Sequence, residues 1–261
     1  MTQIEPVVIK IAETRVDADG VRKLMQQYNA SDWYNRIKTA QPNDTELLIE
    51  LSGRMCYKSY GVGLNPNVTK IREDSRDYLT NVLSKGDGSI LEHATVTFAF
   101  LNVSRVCTHE IVRHRAGTAI SQESLRYVRP QAISRYVPPD LRSVSSEFEE
   151  SVQEITRHYH ELESKFDWDR MTFEEKKRVT SALRRILPDG MATNMVWTAN
   201  HRTLRWVIEM RTDPSAEVEI RKVFGQVAEI CIRDYPLLYA DFSRTQLPDG
   251  TSQYTPKYSK V

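Results

Sequence analysis

Hydrophobic residues recur at the three- and four-residue spacing of amphipathic helices through most of the chain. The pattern predicts helices over 20–29, 45–57, 69–85, 104–113, 145–165, 173–187, 201–211 and 215–232. Asp44 and Thr172 lie where helix caps are expected, and Glu174 and Glu175 after Thr172 suit the start of a helix. The pattern therefore indicates a protein built mainly from helices.

Shorter segments carry the features of strands. HATVTFAFLNV, from His93 to Val103, alternates in polarity and is rich in β-branched and aromatic residues. The other predicted strands are 7–16, 191–200 and a short segment at 124–130. The strands lie among longer helices without the regular alternation of a doubly wound sheet. The sequence therefore predicts an α+β fold, with a mixed or antiparallel sheet flanked by long helices.

Length and composition favour one domain over residues 1–261. A chain of 261 residues can bury a large core without disulfides, and it contains neither an internal repeat nor a long flexible linker. No apolar run approaches the roughly 20 residues of a membrane helix, and the first residues lack the regions of a signal peptide. We expect a cytoplasmic protein without a membrane partner.

Cysteine spacing and net charge narrow the chemistry further. Cys56, Cys107 and Cys231 are far apart and form no CxxC pair, so we predict buried thiols and no metal site. His158 and His160 are two residues apart on a predicted helix and diverge around it. The formal net charge is +1, which lacks the basicity of a duplex-binding protein. Any anion site must therefore be local.

The densest polar feature is the segment EIVRHRAGTAISQESLRYVR, from Glu110 to Arg129. An Arg-His-Arg triplet ends a helical pattern there, and small and hydroxyl-bearing residues follow. Guanidinium groups meet phosphate with two parallel donors, and backbone and hydroxyl donors complete such sites. A solvated basic helix end is the simpler interpretation. The continuation into Ser124, Arg126 and Tyr127 favours an anion site instead.

This segment resembles the signature of the flavin-dependent thymidylate synthases: Arg-His-Arg, a gap, a serine and a nearby Arg-Tyr. Other segments resemble that family in the same order. They are GRMCYKS (53–59), GSILEHATVTFAF (88–100), RRILP (184–188), WTANHRTLRWVIEMR (197–211) and the following PSAEVEIR. The resemblance extends from residue 50 to residue 221. Several weak motifs in the right order are stronger evidence than a single triplet.

The resemblance implies an enzyme that uses FAD to methylate dUMP reductively at C5. Methylenetetrahydrofolate would donate the carbon, NADPH would be the reductant, and the enzyme would be a homotetramer with shared flavin sites. The implied flavin ligands are Ser89, Arg113, His114, Arg115, Gln122, Asn200, Arg202 and Trp206. The implied nucleotide ligands are Glu110, Arg113, Gln122, Glu123, Ser124, Arg126, Arg184 and Arg211.

Within that set the resemblance implies more specific roles for three arginines. Arg126 and Arg184 would hold the nucleotide phosphate. Arg211 would be the catalytic residue, contacting the uracil and favouring its N3-ionised form. A fixed positive charge there suits negative charge that develops on the ring, so no cysteine nucleophile is required.

The chain departs from the family pattern at three places. Eight residues instead of seven separate Arg115 from Ser124, Asp87 replaces a histidine, and Trp206 replaces an asparagine or histidine. Because these changes surround the expected substrate site, a UMP or UMP/dUMP methylase of a nucleoside-antibiotic pathway is an alternative. A pocket that only leaves room for a hydroxyl discriminates by roughly 10²-fold or less.

Two further alternatives differ in substrate or in class. A non-catalytic RNA-binding module would use the arginines and Tyr127, but it leaves the ordered downstream motifs unexplained. A flavoenzyme with another substrate is the enzymatic alternative. A glycine-rich dinucleotide fingerprint is absent, so the expectation of flavin rests on the resemblance. We expect no nucleic-acid partner.

Overall fold

The computed structural model describes residues 4–40, 43–61, 66–68 and 70–259. The helices are α1 (Ala18–Gln27), α2 (Ser31–Ala40), α3 (Asp44–Tyr57), α4 (Ser75–Lys85), α5 (Arg105–Ile111), α6 (Ser145–Glu163), α7 (Phe173–Leu183), α8 (His201–Thr212), α9 (Val218–Asp234) and α10 (Pro236–Tyr239). Short 3-10 helices span Gly88–His93, Pro139–Val144 and Arg184–Ile186. The strands are β1 (Val7–Glu13), β2 (Thr95–Ser104), β3 (Thr118–Gln122), β4 (Ala192–Asn200), β5 (Phe242–Gln246) and β6 (Ser252–Pro256).

Four strands form an antiparallel sheet in the order β1-β2-β4-β3, and β5 pairs with β6 in a separate hairpin. On one face of the sheet, Phe98, Phe100 and Trp197 are completely buried. Trp197 meets Phe224 of α9 edge-on, with ring centroids 5.6 Å apart. The α+β fold predicted from the sequence is confirmed. Among the described helices, none combines the length and the apolar character of a membrane span.

The opposite face of the sheet is less covered. Val7 and Ile9 of β1 are 41% and 45% exposed, and Val196 of β4 is 39% exposed. Ile9 pairs with Ala99 and Ala99 with Val196, so Ile9 and Val196 lie on the same face. Alternation of buried and exposed positions along the strands thus leaves open, in the single chain, a face that carries these apolar residues together with the threonine pair Thr97 and Thr198.

The predicted helices are all present, and most of their ends differ by a few residues. The helix predicted over 69–85 begins only at Ser75, and residue 69 lies outside the described residues. The Thr172 cap is confirmed, because its hydroxyl accepts a hydrogen bond from Glu175 N and the Glu175 carboxylate accepts one from Thr172 N. The predicted cap at Asp44 is wrong. Asn43 caps α3 instead, and its Oδ1 accepts a 2.8 Å hydrogen bond from Glu46 N.

The strand predictions are confirmed at β1, β2 and β4 but are wrong at 124–130. That segment begins with a turn closed by a 3.0 Å hydrogen bond from Tyr127 N to Ser124 O. The neighbouring strand is β3, which was not predicted because its sequence, TAISQ, is short and largely polar. Helix α2 and the β5–β6 hairpin were also missed.

Candidate active site

Arg211 of α8 joins two other predicted site residues, Glu110 and His114, in one cluster. Its Nε donates to His114 Nε2 at 2.7 Å, and its Nη1 donates to Glu110 Oε2 at 2.8 Å. A third hydrogen bond runs from Nη2 to the Glu110 backbone oxygen at 3.1 Å. A guanidinium carries five N–H donors, and three are used here. Two donors, one on each terminal nitrogen, therefore remain for a ligand.

His114 is neutral at physiological pH. Burial, with the positive charge of Arg211 as the second cause, lowers the pKa of His114 to about 4. Its Nε2 accepts from Arg211, so the ring proton belongs on Nδ1. Trp206, one of the implied flavin ligands, meets the imidazole edge-on with ring centroids 5.1 Å apart. The neutral ring orients Arg211 without competing with its charge.

A second cluster forms where the chain leaves β3. Glu123 N donates to Asn194 O at 3.1 Å, and Asn194 Nδ2 donates to Glu123 Oε1 at 2.7 Å. The hydroxyl of Ser124 accepts a 3.3 Å hydrogen bond from Arg126 N. Gln122 is tied nearby, since its Nε2 donates to Thr108 Oγ1 at 3.2 Å. The sheet pairing of β3 with β4 thus fixes the start of the predicted nucleotide loop.

Arg105 belongs to this cluster although the sequence reasoning missed it. Its Nη2 donates to Glu123 O at 2.9 Å, and it lines one cavity together with Glu123 and Ser124. Burial lowers the pKa of Arg105, and the nearby charge of Arg184 lowers it further. The negative charges of Asp189 and Glu123 act in the opposite direction on the pKa of Arg105, so this cavity wall contains both signs of charge. Only the fold shows this role, because Arg105 stands in the sequence as an isolated arginine at the start of α5.

Four predicted anion ligands have no acidic partner. Within the described ranges Arg113, Arg115, Arg126 and Arg184 form no ion pair. All four are exposed, and the residues outside those ranges carry no acidic side chain. An exposed arginine without a carboxylate partner keeps its positive charge and its donors available for an anionic ligand.

A groove beside the first cluster brings together three residues predicted to bind the cofactor. It is lined by Glu92, Ala116, Gly117, Asn200, Arg202, Thr203, Trp206 and Ser259. Asn200 caps α8, and its Oδ1 accepts a 2.9 Å hydrogen bond from Thr203 N. Arg202 forms a 2.5 Å ion pair with Glu92. Trp206 is 46% exposed, which leaves an aromatic surface in the groove.

Gly117 allows the backbone to come close to the cap of α8. Its φ is +68°, and a Cβ added there would lie 2.3 Å from Asn200 Nδ2 and 2.6 Å from Thr203 Oγ1. Asn200 N donates to Gly117 O at 3.0 Å, and Thr203 Oγ1 donates to Ala116 O at 2.8 Å. A backbone cradle, an exposed indole and exposed guanidinium groups together fit an aromatic dinucleotide such as a flavin.

Some predicted site residues are not joined to the clusters. No hydrogen bond or ion pair within the described part of the chain links the side chains of Ser89, Arg115 and Arg184 to another predicted site residue. Ser89 is exposed in the 3-10 helix Gly88–His93, which also supplies Glu92 to the groove. These positions therefore remain available to a ligand from solvent.

The prediction of buried cysteines is confirmed at two positions and is wrong at the third. Cys107 and Cys231 are buried, whereas Cys56 is exposed on α3. Burial raises the pKa of Cys107 well above its usual range and that of Cys231 to about 12. Both buried thiols stay protonated at neutral pH, so neither is an activated nucleophile.

Fold and candidate site together describe an α+β protein with exposed arginines and an exposed indole around a groove, a combination suited to a small anionic ligand. Comparison with known proteins is more specific. The sequence profile of the family described as "Thymidylate synthase complementing protein" matches residues 38–237. The chain is 36% identical over 216 residues to the flavin-dependent thymidylate synthase of Mycobacterium tuberculosis, covering 80% of this chain and 84% of that protein. It is 33% identical over 225 residues to the Mycobacterium marinum protein of the same name, covering 83% and 87%.

The chain therefore belongs to the flavin-dependent thymidylate synthase family, a family of methyltransferase enzymes. The resemblance inferred from the ordered motifs is confirmed. Family membership also favours an enzyme over the RNA-binding alternative. Several of the residues that carry the resemblance, among them Glu110, His114, Asn200 and Arg211, lie in the first cluster or the groove described above.

Proposed function

We propose that the protein methylates dUMP at C5, with FAD as cofactor, methylenetetrahydrofolate as carbon donor and NADPH as reductant. Family membership supports the reaction type. The arrangement around Arg211 is the observation that supports uracil activation most directly. Two free guanidinium donors beside a fixed carboxylate and a neutral imidazole suit a planar ring with adjacent oxygen and nitrogen acceptors.

The nucleotide would be bound mainly through its phosphate. We assign Arg126 and Arg184 to the phosphate, as the resemblance implies, and we add Arg105 because it lines the same cavity as Ser124. Gln122, Glu123, Ser124 and Arg113 would complete the nucleotide site. Because the terminal groups of Arg126 and Arg184 have no acidic partner in the described ranges, phosphate binding breaks no existing ion pair there.

Arg211 would stabilise negative charge on the uracil ring. Glu110 and His114 hold its guanidinium before substrate binds, so little reorganisation is needed when charge develops at N3 and O4. The low pKa of His114 keeps the imidazole neutral, and it therefore neither repels Arg211 nor donates a proton to the ring at neutral pH. Bound FAD would supply the reducing equivalents.

The groove around Gly117 would hold the flavin. Asn200, Arg202 and Trp206 line it, and Arg113, His114, Arg115, Gln122 and Ser89 are the other residues assigned to the cofactor. The exposed indole of Trp206 offers a stacking surface, whereas the exposed guanidinium groups suit the diphosphate. A cysteine nucleophile has no part in this mechanism, in agreement with the burial of Cys107.

A cytoplasmic homotetramer with flavin sites shared between subunits completes the proposal. The open sheet face with Ile9 and Val196 supports self-association, because a folded protein rarely leaves such an apolar surface in water. Light scattering of the purified protein tests the assembly. A monomer at micromolar concentration would contradict it.

One assay tests the reaction and the choice of sugar together. Purified protein is incubated with FAD, NADPH, methylenetetrahydrofolate and equal concentrations of dUMP and UMP, and both 5-methyl products are quantified. We expect thymidylate as the main product. Equal or faster methylation of UMP would overturn the choice of dUMP, and absence of both products would overturn the proposed reaction.

A further inference from the structure

A separate cavity opens between α3, α4 and the residues Asn67, Val68, Lys70 and Arg72. It shares no lining residue with the groove around Gly117 or with the cavity at Ser124. The side chains in its wall that matter here are Tyr57, Ser59, Lys70, Arg72, Lys85 and Asp87. Three of these six are cations and one is an acid, so the lining is predominantly positive.

The three cations have no acidic partner. Among the residues that the structure describes, Lys70, Arg72 and Lys85 form no ion pair. The adjacent segment 62–65 and residue 69 carry no acidic side chain in the sequence. Positive groups gathered around a cavity repel one another unless an anion binds between them. The lining is thus electrostatically suited to a polyanion.

Arg54 positions this cavity but is not itself free to bind. Its Nε donates to Glu50 Oε1 at 2.8 Å, and both groups are buried. Its Nη1 donates to Ser59 O at 2.9 Å, and its Nη2 donates to Arg72 O at 2.7 Å. One buried guanidinium therefore holds the backbone at Ser59 and at Arg72, and Arg72 lines the same cavity as Lys85.

Two further features indicate a ligand with both polar and aromatic parts. The Ser59 hydroxyl is buried and has no hydrogen-bond partner among the described residues, although its residue lines the cavity. Tyr57 is 58% exposed in the cavity wall and offers the face of a phenol ring. A buried hydroxyl without a partner costs free energy, which a polar ligand group can recover.

We propose that this cavity binds the glutamate tail of the folate co-substrate, with Lys70, Arg72 and Lys85 facing its carboxylates. The proposal rests on the proposed function. Asp87 of the cavity wall directly precedes the 3-10 helix Gly88–His93, and the same short helix supplies Glu92 to the groove proposed for the flavin. Cations from two chain segments suit a row of carboxylates better than a single phosphate, and Tyr57 suits the aryl ring that precedes the tail.

Equilibrium binding of pteroylmonoglutamate and pteroylpentaglutamate to the full-length protein, measured by calorimetry, tests the proposal without requiring turnover. We expect the pentaglutamate to bind more tightly, with a preference that weakens as NaCl is raised. Lys70→Gln with Lys85→Gln should reduce that preference about fivefold to tenfold, the effect of losing two exposed ion pairs. The control pair Lys23→Gln with Lys165→Gln removes two exposed lysines elsewhere and should leave the preference unchanged.

Equal binding of both folates by the unsubstituted protein would overturn the proposal, as would an unchanged preference in the Lys70/Lys85 variant. The KM for NADPH is measured in parallel. A raised KM for NADPH with unchanged folate binding would assign the cavity to the nicotinamide co-substrate and overturn the folate assignment. A protein that binds the pentaglutamate as expected but forms no thymidylate would refute the proposed function and leave the tail site supported.

Discussion

Single side chains in this protein derive their chemistry from what surrounds them. Arg211 is held by Glu110 and by a histidine that burial keeps neutral, whereas Arg126 is exposed and without an acidic partner in the described ranges. The first arrangement suits a charge that must be oriented before reaction. The second suits a positive charge that binds an anionic group of the substrate. Replacing Arg211 should therefore affect mainly the chemical step, whereas replacing Arg126 should affect mainly nucleotide binding.

Arg211→Ala should impair the chemical step more than nucleotide binding. Loss of a preorganised charge at a developing anion typically lowers kcat about 10²- to 10³-fold. Steady-state kinetics and the Kd of dUMP measure the two effects separately, and Arg211→Lys tests whether charge alone is sufficient. An unchanged kcat in Arg211→Ala would remove the catalytic assignment.

Arg126→Ala should weaken nucleotide binding. A charge-assisted hydrogen bond contributes about 1.5–3 kcal/mol, so the Kd of dUMP should rise accordingly. Arg185→Ala is the matched control, since Arg185 is also exposed and donates to Ser181 O. If both variants bind dUMP like the unsubstituted protein, Arg126 does not hold the phosphate.

The buried histidines predict how stability depends on pH. Burial lowers the pKa of His114 to about 4 and that of His201 to about 3, against 6.5 for an unperturbed histidine. Between pH 6.5 and pH 4 these two histidines bind more protons in the unfolded chain than in the folded chain. Their contribution to the free energy of unfolding therefore falls as the pH drops through that range. For each histidine that binds one more proton in the unfolded chain, the free energy of unfolding changes by at most about 1.4 kcal/mol per pH unit.

Chemical unfolding of the unsubstituted protein and of His114→Gln, at a series of pH values, measures this contribution. The free energy of unfolding of the variant should depend less steeply on pH between pH 6.5 and pH 4. The remaining dependence should come from His201. Identical slopes for the two proteins would mean that His114 is not held neutral by the fold.

Among the elements of the site, the residue before β3 packs closely against the first turn of α8. Gly117→Ala would place a methyl group in the space of Asn200 and Thr203 and would strain a backbone with φ of +68°. A side chain in the left-handed backbone conformation costs about 1–2 kcal/mol. We expect a lower Tm and weaker FAD binding, measured by thermal denaturation and by titration of the flavin.

Gly190→Ala is the matched control for that variant. A Cβ at Gly190 meets no atom within 4 Å, so its substitution should leave FAD binding intact. FAD affinity in Gly117→Ala that equals the affinity in Gly190→Ala would show that the groove around Gly117 does not hold the cofactor.

The elements also show what local sequence can predict. Long helices such as α6 and α9 follow their periodicity, and β2 follows its β-branched alternation. By contrast, β3 has a sequence that a loop could have, and it becomes a strand because it pairs along β4. Segment 124–130 has apolar and aromatic residues but no strand to pair with. Its chain turns at Ser124 instead.

At the scale of the whole molecule, the sheet and α8 assemble a site from distant parts of the chain. Glu110 and Arg211 are 101 positions apart, and Glu123 and Asn194 are 71 apart. Ordered motifs allowed these positions to be assigned from sequence, except for Asn194 and Arg105. No local pattern identifies those two, since their roles depend on the pairing of β3 with β4 and on the proximity of Arg105 to Arg184.

FAD-dependent methylation of dUMP is tested most directly by removing flavin from the protein and measuring product formation with and without added FAD. Each reaction contains dUMP, NADPH and methylenetetrahydrofolate labelled in its methylene carbon, and labelled thymidylate is quantified. If the protein methylates dUMP with FAD as cofactor, labelled thymidylate forms only when FAD is added. Label in thymidylate without FAD, or no thymidylate after FAD has bound, would contradict it.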